Sequence, residues 1–137
     1  RCALTLNGGA LSAMDALVKQ LKKQTGVVSR LAADLNADRA EVRECDERLA
    51  RMQADGADAH DVKKQQEVRA EAVMMIPHSQ RRLRAQFAEL EALLAAADAH
   101  ADADAIKQAP EYAKAVQTRD RCRPSDDDDG DGGRGGA

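Results

Sequence analysis

Apolar side chains recur along two long stretches of this chain in alternating steps of four and three residues. That spacing places them on one face of an α-helix, as in coiled coils and helical bundles. It predicts two long helices, over residues 14–54 and 61–97, each burying one seam of side chains. The first seam, with two polar members, comprises Leu17, Leu21, Gln24, Val28, Leu31, Leu35, Asp38, Val42, Cys45, Leu49 and Met52. The second seam comprises Val62, Gln66, Val73, Ile76, Gln80, Leu83, Phe87, Leu90, Leu94 and Ala97.

A proline, Pro77, interrupts the second predicted helix near its middle. Proline has no amide hydrogen, so the carbonyl of Val73 loses its helical partner, and the proline ring clashes with that carbonyl. An interior proline costs about 3 kcal/mol relative to alanine. The apolar spacing nevertheless continues through Pro77 without a skip. It therefore predicts one kinked helix rather than two separate helices.

The short segment between the two long helices contains Gly56, a residue suited to a helix end. A link this short predicts an antiparallel helical hairpin. Folding the chain about its centre brings Asp38 opposite Ile76 and Pro77. Our hypothesis is that Asp38 forms a polar layer with Gln80 or Arg81 that fixes the register of the hairpin. The alternative is that Asp38 tilts into water at the kink.

A third, shorter amphipathic helix is predicted over residues 102–121. Its apolar face comprises Ile106, Ala109, Ala113 and Val116. Pro110 either begins this helix at its first turn, where proline is tolerated, or kinks it. Since this helix is about half as long as the hairpin, we expect it to leave the other half covered by two helices only.

The fold class follows from these elements. We expect an all-α protein with no sheet, folded over residues 14–121 as an elongated antiparallel three-helix bundle with spectrin-like, left-handed coiled-coil packing. Residues 1–13 are expected to be a disordered extension. Residues 122–137, which hold an aspartate run and several glycines, are expected to be a disordered acidic tail.

Composition narrows the functional classes. The chain has one Phe, one Tyr and no Trp among 137 residues, and its net charge is −3. Residues 1–123 carry 20 basic and 19 acidic side chains, so they lack the strongly basic surface of a nucleic-acid binder. No apolar run is long enough to cross a membrane. The three cysteines lack metal-site spacing and indicate a reducing compartment, and Cys45 is expected to be buried in the first seam.

Catalytic and metal sites are not indicated. Asp127, Asp129 and Asp131 match the opening of a calcium loop, but the glutamate that such a loop requires is missing. His100 and the aspartates around it are spaced by two residues, which points them to different faces of a helix. Neither a nucleophile with a plausible base nor a phosphate-binding loop is present. We therefore expect no enzyme activity, no cofactor and no bound metal.

One cluster of side chains next to Pro77 suits a protein partner. Met74 and Met75 are flexible and polarizable, as adaptable apolar contacts require. They lie beside the predicted seam, either exposed or buried under the third helix. The basic residues Arg81 and Arg82 follow shortly afterwards.

Three blocks of the sequence resemble a known family. The stretch KQLKKQTGVVSRL at residues 19–31 is similar to the N-terminal block K-x-K-T-G-V-V-x-R-L of tubulin-binding cofactor A, also called tubulin-specific chaperone A. The stretches DVKKQ at 61–65 and MMIPHSQRRL at 74–83 resemble its central D-I-K-K-Q and M-M-I-P-x-x-Q-R-R-L. Residues 111–112, Glu-Tyr, fit its C-terminal block. The resemblance covers about residues 14–118.

This resemblance implies a small cytosolic, cytoskeleton-associated three-helix bundle that captures partly folded β-tubulin after its release from the chaperonin. It implies no ATPase activity and no cofactor, and other tubulin-folding cofactors are further candidate partners. We expect partner contacts from Lys63, Lys64, Met74, Met75, Arg81 and Arg82. We expect Pro77, Asp38 and Gln80 to have structural roles.

A second class of function is kept as the alternative. A long charged helical hairpin also suits a structural coiled-coil adaptor or scaffold that pairs through its exposed half and has no chaperone role. The two interpretations differ in the expected oligomeric state. A monomer is expected for the cofactor, whereas a stable homodimer would favour the adaptor.

Overall fold

The computed structural model describes the backbone of residues 2–125 and the side chains of residues 13–125. The regular structure in this part of the chain is helical and includes no strand, which confirms the predicted all-α class. Its four helices are α1 (Cys2–Ala54), α2 (Ala59–Asp98), α3 (Ala103–Gln108) and α4 (Pro110–Arg121). α1 and α2 correspond to the two long helices that the apolar spacing predicted.

The chain ends differ from the sequence-based expectation in one respect. Disorder was expected over residues 1–13, whereas the backbone is helical from Cys2 onward. Adding residues to an existing helix is far easier than starting one, so α1 extends through Gly8 and Gly9 despite their low helix propensity. The predicted disordered tail lies mostly outside the described residues, since the structure describes only residues 122–125 of it.

α1 ends at a Schellman motif, as the position of Gly56 suggested. Gly56 has a φ of 68°, which glycine adopts without a steric penalty. The amide of Ala57 donates to the carbonyl of Met52 at 2.9 Å, and the amide of Gly56 donates to Gln53 at 3.3 Å. The carboxylate of Asp58 accepts from the amide of His60 at 3.0 Å. It thereby satisfies a free donor of the first turn of α2.

The chain forms two compact units. The terminal unit comprises residues 1–30 and 84–137, and the middle unit comprises Leu31–Leu83. In the terminal unit Leu21, Val28, Leu90 and Ile106 are fully buried. Each contributes about 1.5–3 kcal/mol by leaving water. Further buried side chains there are Phe87, Leu94, Ala97, Ala115, Thr118 and Cys122.

Polar contacts show how the helices of the terminal unit run. The hydroxyl of Tyr112 donates a hydrogen bond to Asp98, and the guanidinium of Arg123 lies over the ring of Phe87. The carbonyl of Ser125 accepts a hydrogen bond from Arg84. As the residue number rises along α4 and beyond, its partner's number on α2 falls. The segment from Tyr112 to Ser125 therefore runs antiparallel to α2.

The middle unit is an antiparallel pair of helices. Asp46 of α1 accepts from Arg69 of α2, and Asp38 accepts from the hydroxyl of Ser79. The carboxylate of Asp46 raises the pKa of Arg69, first through the hydrogen bond and then through its charge. Cys45, a free cysteine, is buried as predicted. The other buried side chains of this unit are Leu31, Leu35, Gln65, Ala72, Ser79 and Leu83.

The buried face of α2 in the middle unit differs from the predicted seam. Gln66 and Val73 are exposed and Gln80 is half-buried, whereas the residue just before each of them is buried. Ile76 and Leu83 belong to both registers. The reason is that small side chains such as Ala72 and Ser79 allow close approach of a neighbouring helix, so burial here does not follow hydrophobicity alone.

The region after α2 forms two helices where one was predicted over residues 102–121. Ala109 has an extended backbone with ψ of 138°, because a residue before proline is disfavoured in the helical region. Pro110 is the first residue of α4, one of the two roles considered for it. The break resets the helical phase. Ala115, Thr118 and Cys122 are therefore buried, whereas Ala113 is exposed and Val116 is half-buried.

Candidate functional site

The six residues predicted to contact a partner all lie on α2 in the middle unit, and all are exposed. A helix turns about 100° per residue, so residues 7, 11 or 18 positions apart share a face. On that basis the six fall within an arc of about 120° along roughly 28 Å of helix. We call this face the α2 stripe. It consists of Lys63, Lys64, Glu67, Glu71, Met74, Met75, His78, Arg81 and Arg82, and each of these residues is exposed.

The α2 stripe faces away from the core of the middle unit. Gln65, Ala72 and Ser79, the buried residues of this part of α2, lie on average about 120° around the helix from the centre of the stripe. Residues of the stripe are thus not needed to bury the hairpin. Their side chains are available to another molecule.

The methionines are the apolar centre of the stripe. Met74 has 75% of its surface exposed and Met75 47%. The alternative that the third helix buries them is therefore wrong. Val68, which the sequence analysis did not single out, is 45% exposed and lies one heptad before Met75. The heptad spacing between Val68 and Met75 is the signal in the sequence that could have identified it.

Charged side chains lie on both sides of this apolar centre along the helix. Lys63 and Lys64 lie at one end of the stripe, and Arg81 and Arg82 lie at the other. Within the described residues none of these four cations forms an ion pair. Two carboxylates, Glu67 and Glu71, lie between them. The stripe therefore offers free cations on both sides of an apolar patch.

Of the residues assigned structural roles, Asp38 and Gln80 are half-buried and Pro77 is exposed. Pro77 lies inside α2, and the helix continues through it. Asp38 is half-buried and accepts a hydrogen bond, but its partner is Ser79 rather than Gln80 or Arg81. The one-residue shift of the buried face explains the difference. It brings Ser79 inside and leaves Gln80 only half-buried.

A metal centre is not formed by the residues whose structure is described. Among residues 13–125 no group of three or more His, Cys, Asp or Glu side chains is placed to hold an ion. His100 instead accepts a hydrogen bond through Nδ1 from the amide of Asp102, at 3.0 Å. The aspartates of the calcium-loop-like stretch lie outside the described residues. None of the described helices is long and apolar enough to cross a membrane.

Comparison with known proteins gives the family. The sequence profile described as "Tubulin binding cofactor A" matches residues 16–117. The chain belongs to the tubulin binding cofactor A family. This confirms the resemblance found in the three sequence blocks, and the match includes the whole α2 stripe.

The alignments between this chain and relatives of the tubulin binding cofactor A family cover most of each relative's length. "Tubulin-specific chaperone A" of Gallus gallus is 35% identical over 103 residues, which is 75% of this chain and 95% of the relative. The protein of the same name from Homo sapiens is 39% identical over 80 residues, or 58% of this chain and 74% of the relative. "Tubulin-folding cofactor A" of Arabidopsis thaliana is 35% identical over 80 residues, or 58% and 71%.

Two solved structures of the family share the fold. The crystal structure of tubulin folding cofactor A from Arabidopsis thaliana matches with a TM-score of 0.72 and 30% identity, covering 80% of this chain and 98% of that one. Human tubulin chaperone cofactor A matches with a TM-score of 0.62 and 33% identity, covering 77% and 96%. The all-helical architecture is therefore that of the family.

Tyr112, in the C-terminal family block, links α4 to the end of α2. Its hydroxyl donates to Oδ1 of Asp98 at 2.8 Å, and Nζ of Lys107 lies 3.7 Å from the same oxygen. The hydrogen bond to Asp98, followed by burial, raises the pKa of Tyr112 above its ordinary value. The block thus has a packing role in this chain.

Proposed function

We propose that this chain is a tubulin-folding cofactor that captures and holds folding intermediates of β-tubulin after their release from the chaperonin. Membership of the tubulin binding cofactor A family supports the tubulin-folding role, as do the names of the relatives. The single structural observation that carries the binding step is the α2 stripe, in which two exposed methionines lie between pairs of free cations. The names of the relatives do not favour the coiled-coil adaptor.

The chemistry of the stripe suits a protein that has not finished folding. Such a client exposes apolar surface that a native monomer would bury. Methionine side chains adapt to irregular apolar surfaces because they are unbranched and polarizable. The cations at both ends of the stripe add selectivity for acidic surface around the apolar contact. Lys63, Lys64, Arg81 and Arg82 are proposed for that role, and Met74 and Met75 for the apolar contact.

The proposed architecture supports this use. In the terminal unit, α3 and α4 together serve as the third helix of an antiparallel three-helix bundle with left-handed coiled-coil packing. In the middle unit, α2 bends at Pro77, and Asp38 with its neighbours fixes the register of the hairpin. Since the residues of the α2 stripe are exposed, the outer face of α2 is left open to a client.

Holding a client in this way requires no catalytic group and no cofactor. We propose that the protein acts as a monomer in the cytoplasm, associated with the cytoskeleton through its client, and that other tubulin-folding cofactors receive the client from it. Light scattering tests the oligomeric state. A stable homodimer would contradict this part of the proposal and support the adaptor.

The test is a capture assay with β-tubulin newly released from the chaperonin, scored as a complex on a native gel. Reversing the charge of three stripe residues, with Lys63→Glu, Lys64→Glu and Arg81→Glu, is expected to reduce capture at least about tenfold. That factor corresponds to roughly 1.4 kcal/mol. Helix content, followed by circular dichroism, should not change, because all three side chains are exposed.

A matched control changes the same net charge elsewhere in the middle unit. Arg43, Arg48 and Arg51 are exposed on α1, and their replacement by Glu should leave capture within about twofold of the original chain. Equal loss in both triple variants would indicate general electrostatic attraction and not a contact surface. Unchanged capture in the stripe variant would remove the stripe from the proposal.

A further inference from the structure

A groove opens on the terminal unit between α1 and α4. It has a volume of about 460 Å³ and is lined by Lys22, Thr25, Gly26, Ser29, Pro110, Glu111 and Lys114. A second depression of about 530 Å³ shares two of these residues and is lined by Lys19, Lys22, Lys23, Gly26, Val27 and Arg30. We call the combined surface the Gly26 groove.

The Gly26 groove is strongly basic. The α1 side of it contributes four cations, and the sequence from residue 16 to residue 33 contains no Asp or Glu. Lys114 adds a fifth cation from α4, and Glu111 is the single carboxylate in the lining. In the part of the chain that the structure describes, none of these five cations forms an ion pair. Unpaired cations this close together favour an acidic occupant.

Gly26 leaves the groove open at its centre. It lies in the interior of α1, where glycine destabilises a helix relative to alanine. A Cβ atom added to it would meet nothing within 4 Å, so packing within the described structure does not require a glycine. What glycine provides at such a place is close access to the helix surface.

The end of α4 lies next to the groove. Arg121, the last residue of α4, donates from Nη2 to the hydroxyl of Ser29 at 3.4 Å, and Ser29 lines the groove. The described chain continues for four more residues to Ser125, whose carbonyl accepts from Arg84 of α2. Five aspartates then follow within residues 126–131, before the next basic residue at Arg134. Six extended residues reach about 20 Å, whereas Lys19 and Arg30 are separated by roughly 16 Å along α1.

We propose that the aspartate run of residues 126–131 docks in the Gly26 groove and pairs with the cations of α1. Because the run is covalently attached a few residues from the groove, its effective concentration there is in the millimolar range, on the order of 1 mM. An acidic segment of another protein has to displace it before binding. The tail is thus an internal competitor that makes the groove selective for strong acidic ligands. This inference does not depend on the proposed capture of β-tubulin by the α2 stripe.

The first test compares amide NMR spectra of two full-length chains. In one of them the five aspartates of the run are replaced, as Asp126→Asn, Asp127→Asn, Asp128→Asn, Asp129→Asn and Asp131→Asn. Docking predicts shift differences between the chains at the amides along the groove, centred on Gly26. These differences should vanish at about 0.5 M salt, because exposed ion pairs are screened there.

A control variant neutralises five exposed carboxylates of the middle unit. It carries Glu41→Gln, Glu44→Gln, Glu47→Gln, Glu67→Gln and Glu71→Gln, and its spectrum should match that of the original chain at the groove amides. Shift differences in the tail variant that avoid the groove, or their absence, would overturn the proposal. So would equal changes at the groove in the control variant.

The second test measures whether the aspartate run competes with another acidic ligand for the Gly26 groove. The probe is a hexa-aspartate peptide. The peptide should bind the Asp→Asn tail variant at least about tenfold more tightly than the original chain, since the tail no longer competes. Replacing Lys19, Lys22, Lys23 and Arg30 by Gln, which keeps helix propensity, should abolish peptide binding. Equal peptide affinity for the original chain and the tail variant would show an open acidic-ligand site and overturn docking of the tail.

Discussion

Ser79 donates its hydroxyl hydrogen to the carboxylate of Asp38, joining α2 to α1 two residues beyond Pro77. Ser79 is buried and Asp38 is half-buried, so the contact places a polar pair between the two helices of the middle unit. A polar pair of this kind is satisfied in one register of the hairpin only. Sliding α2 by a turn would leave the carboxylate or the hydroxyl without its partner.

The polar pair is tested by a double-mutant cycle. Replacing Ser79 by Ala is expected to lower the free energy of unfolding by about 1 kcal/mol, because a hydrogen bond to a half-exposed carboxylate is lost. Asp38→Ala should have a similar effect. The double variant should lose less than the sum of the two single variants, with a coupling of about 0.5–1.5 kcal/mol measured by urea denaturation.

The control for this cycle is Asp34→Ala, since Asp34 lies one turn earlier on α1 and is exposed. It should change stability by less than about 0.5 kcal/mol and show no coupling to Ser79. The role in register is probed by Asp38→Leu. If that chain were clearly more stable and still gave a single set of NMR resonances, the pair would not specify the register.

The seam of α1 could be predicted from the sequence with accuracy. Five of its eleven predicted members, Leu21, Val28, Leu31, Leu35 and Cys45, are buried, and the other six are half-buried. Thr25, next to the predicted Gln24, is buried as well. α1 is regular throughout this stretch, with no break in phase. A steady period of four and three residues then leaves only one face that can be buried.

Three members of the predicted α2 seam, Gln66, Val73 and Gln80, each lie one residue after a buried position. This shift has a physical reason. At residues 72 and 73 the choice lay between alanine and the more hydrophobic valine, and spacing allowed both. Ala72 is buried and Val73 is exposed. Hydrophobicity ranks single residues, whereas packing of two helices also favours small side chains at the line of contact. That preference depends on the partner helix and is not visible in one sequence.

Gly26 in α1 and Gly56 in the turn that follows it give opposite predictions for the same substitution. Gly26→Ala should raise the free energy of unfolding by about 0.5–1 kcal/mol, because its Cβ meets no neighbour and alanine favours the helix. Gly56→Ala should lower it by about 1 kcal/mol, because alanine is strained at a φ of 68°. Thermal and urea unfolding of the two variants measure both effects.

Each of these glycine variants is the other's control, because the chemical change is identical and only the backbone conformation differs. A loss of stability in Gly26→Ala would mean that a neighbouring group occupies the space next to the residue. A gain in Gly56→Ala would show that the turn adopts another conformation.

The contact between Tyr112 and Asp98 predicts a dependence of stability on pH. The hydrogen bond raises the pKa of Tyr112 in the folded chain above its ordinary value of 10.0. Below that ordinary value both states hold the proton, and the contribution of the contact is complete. As the pH rises through the folded pKa the hydroxyl deprotonates beside a carboxylate, and the contribution is lost. The free energy of unfolding should therefore decrease in this alkaline range.

The measurement is unambiguous because Tyr112 is the one tyrosine of the chain and there is no tryptophan. Its ionisation can be followed directly by ultraviolet absorbance. Tyr112→Phe should remove the tyrosine-dependent part of the alkaline loss, and Asp98→Asn should lower the pKa of Tyr112 toward its ordinary value. A titration of Tyr112 at or below that ordinary value in the original chain would contradict the contact.

The residues of the candidate site could be predicted from the sequence, but their exposure on one face of α2 could not. Met74, Met75, Arg81 and Arg82 were selected from their chemistry and from the family blocks. Whether the third helix buries the methionines depended on how that helix packs. Met74 and Met75 are exposed, and the apolar spacing alone does not reveal this. The exposure of the stripe was thus decided by tertiary structure.

Substitution of the methionines of the α2 stripe tests client binding without disturbing the stability of the fold. Because Met74 and Met75 are largely exposed, the double replacement Met74→Gln with Met75→Gln should change the free energy of unfolding by less than about 0.5 kcal/mol. Capture of β-tubulin should weaken by about tenfold, since glutamine of similar length cannot provide the apolar contact. The control is Val73→Gln, because Val73 is also exposed but lies about 140° around the helix from the centre of the stripe. Capture that is equally weak in both variants would show that any polar change on α2 disturbs binding, and undiminished capture in the double variant would show that the client contacts another face.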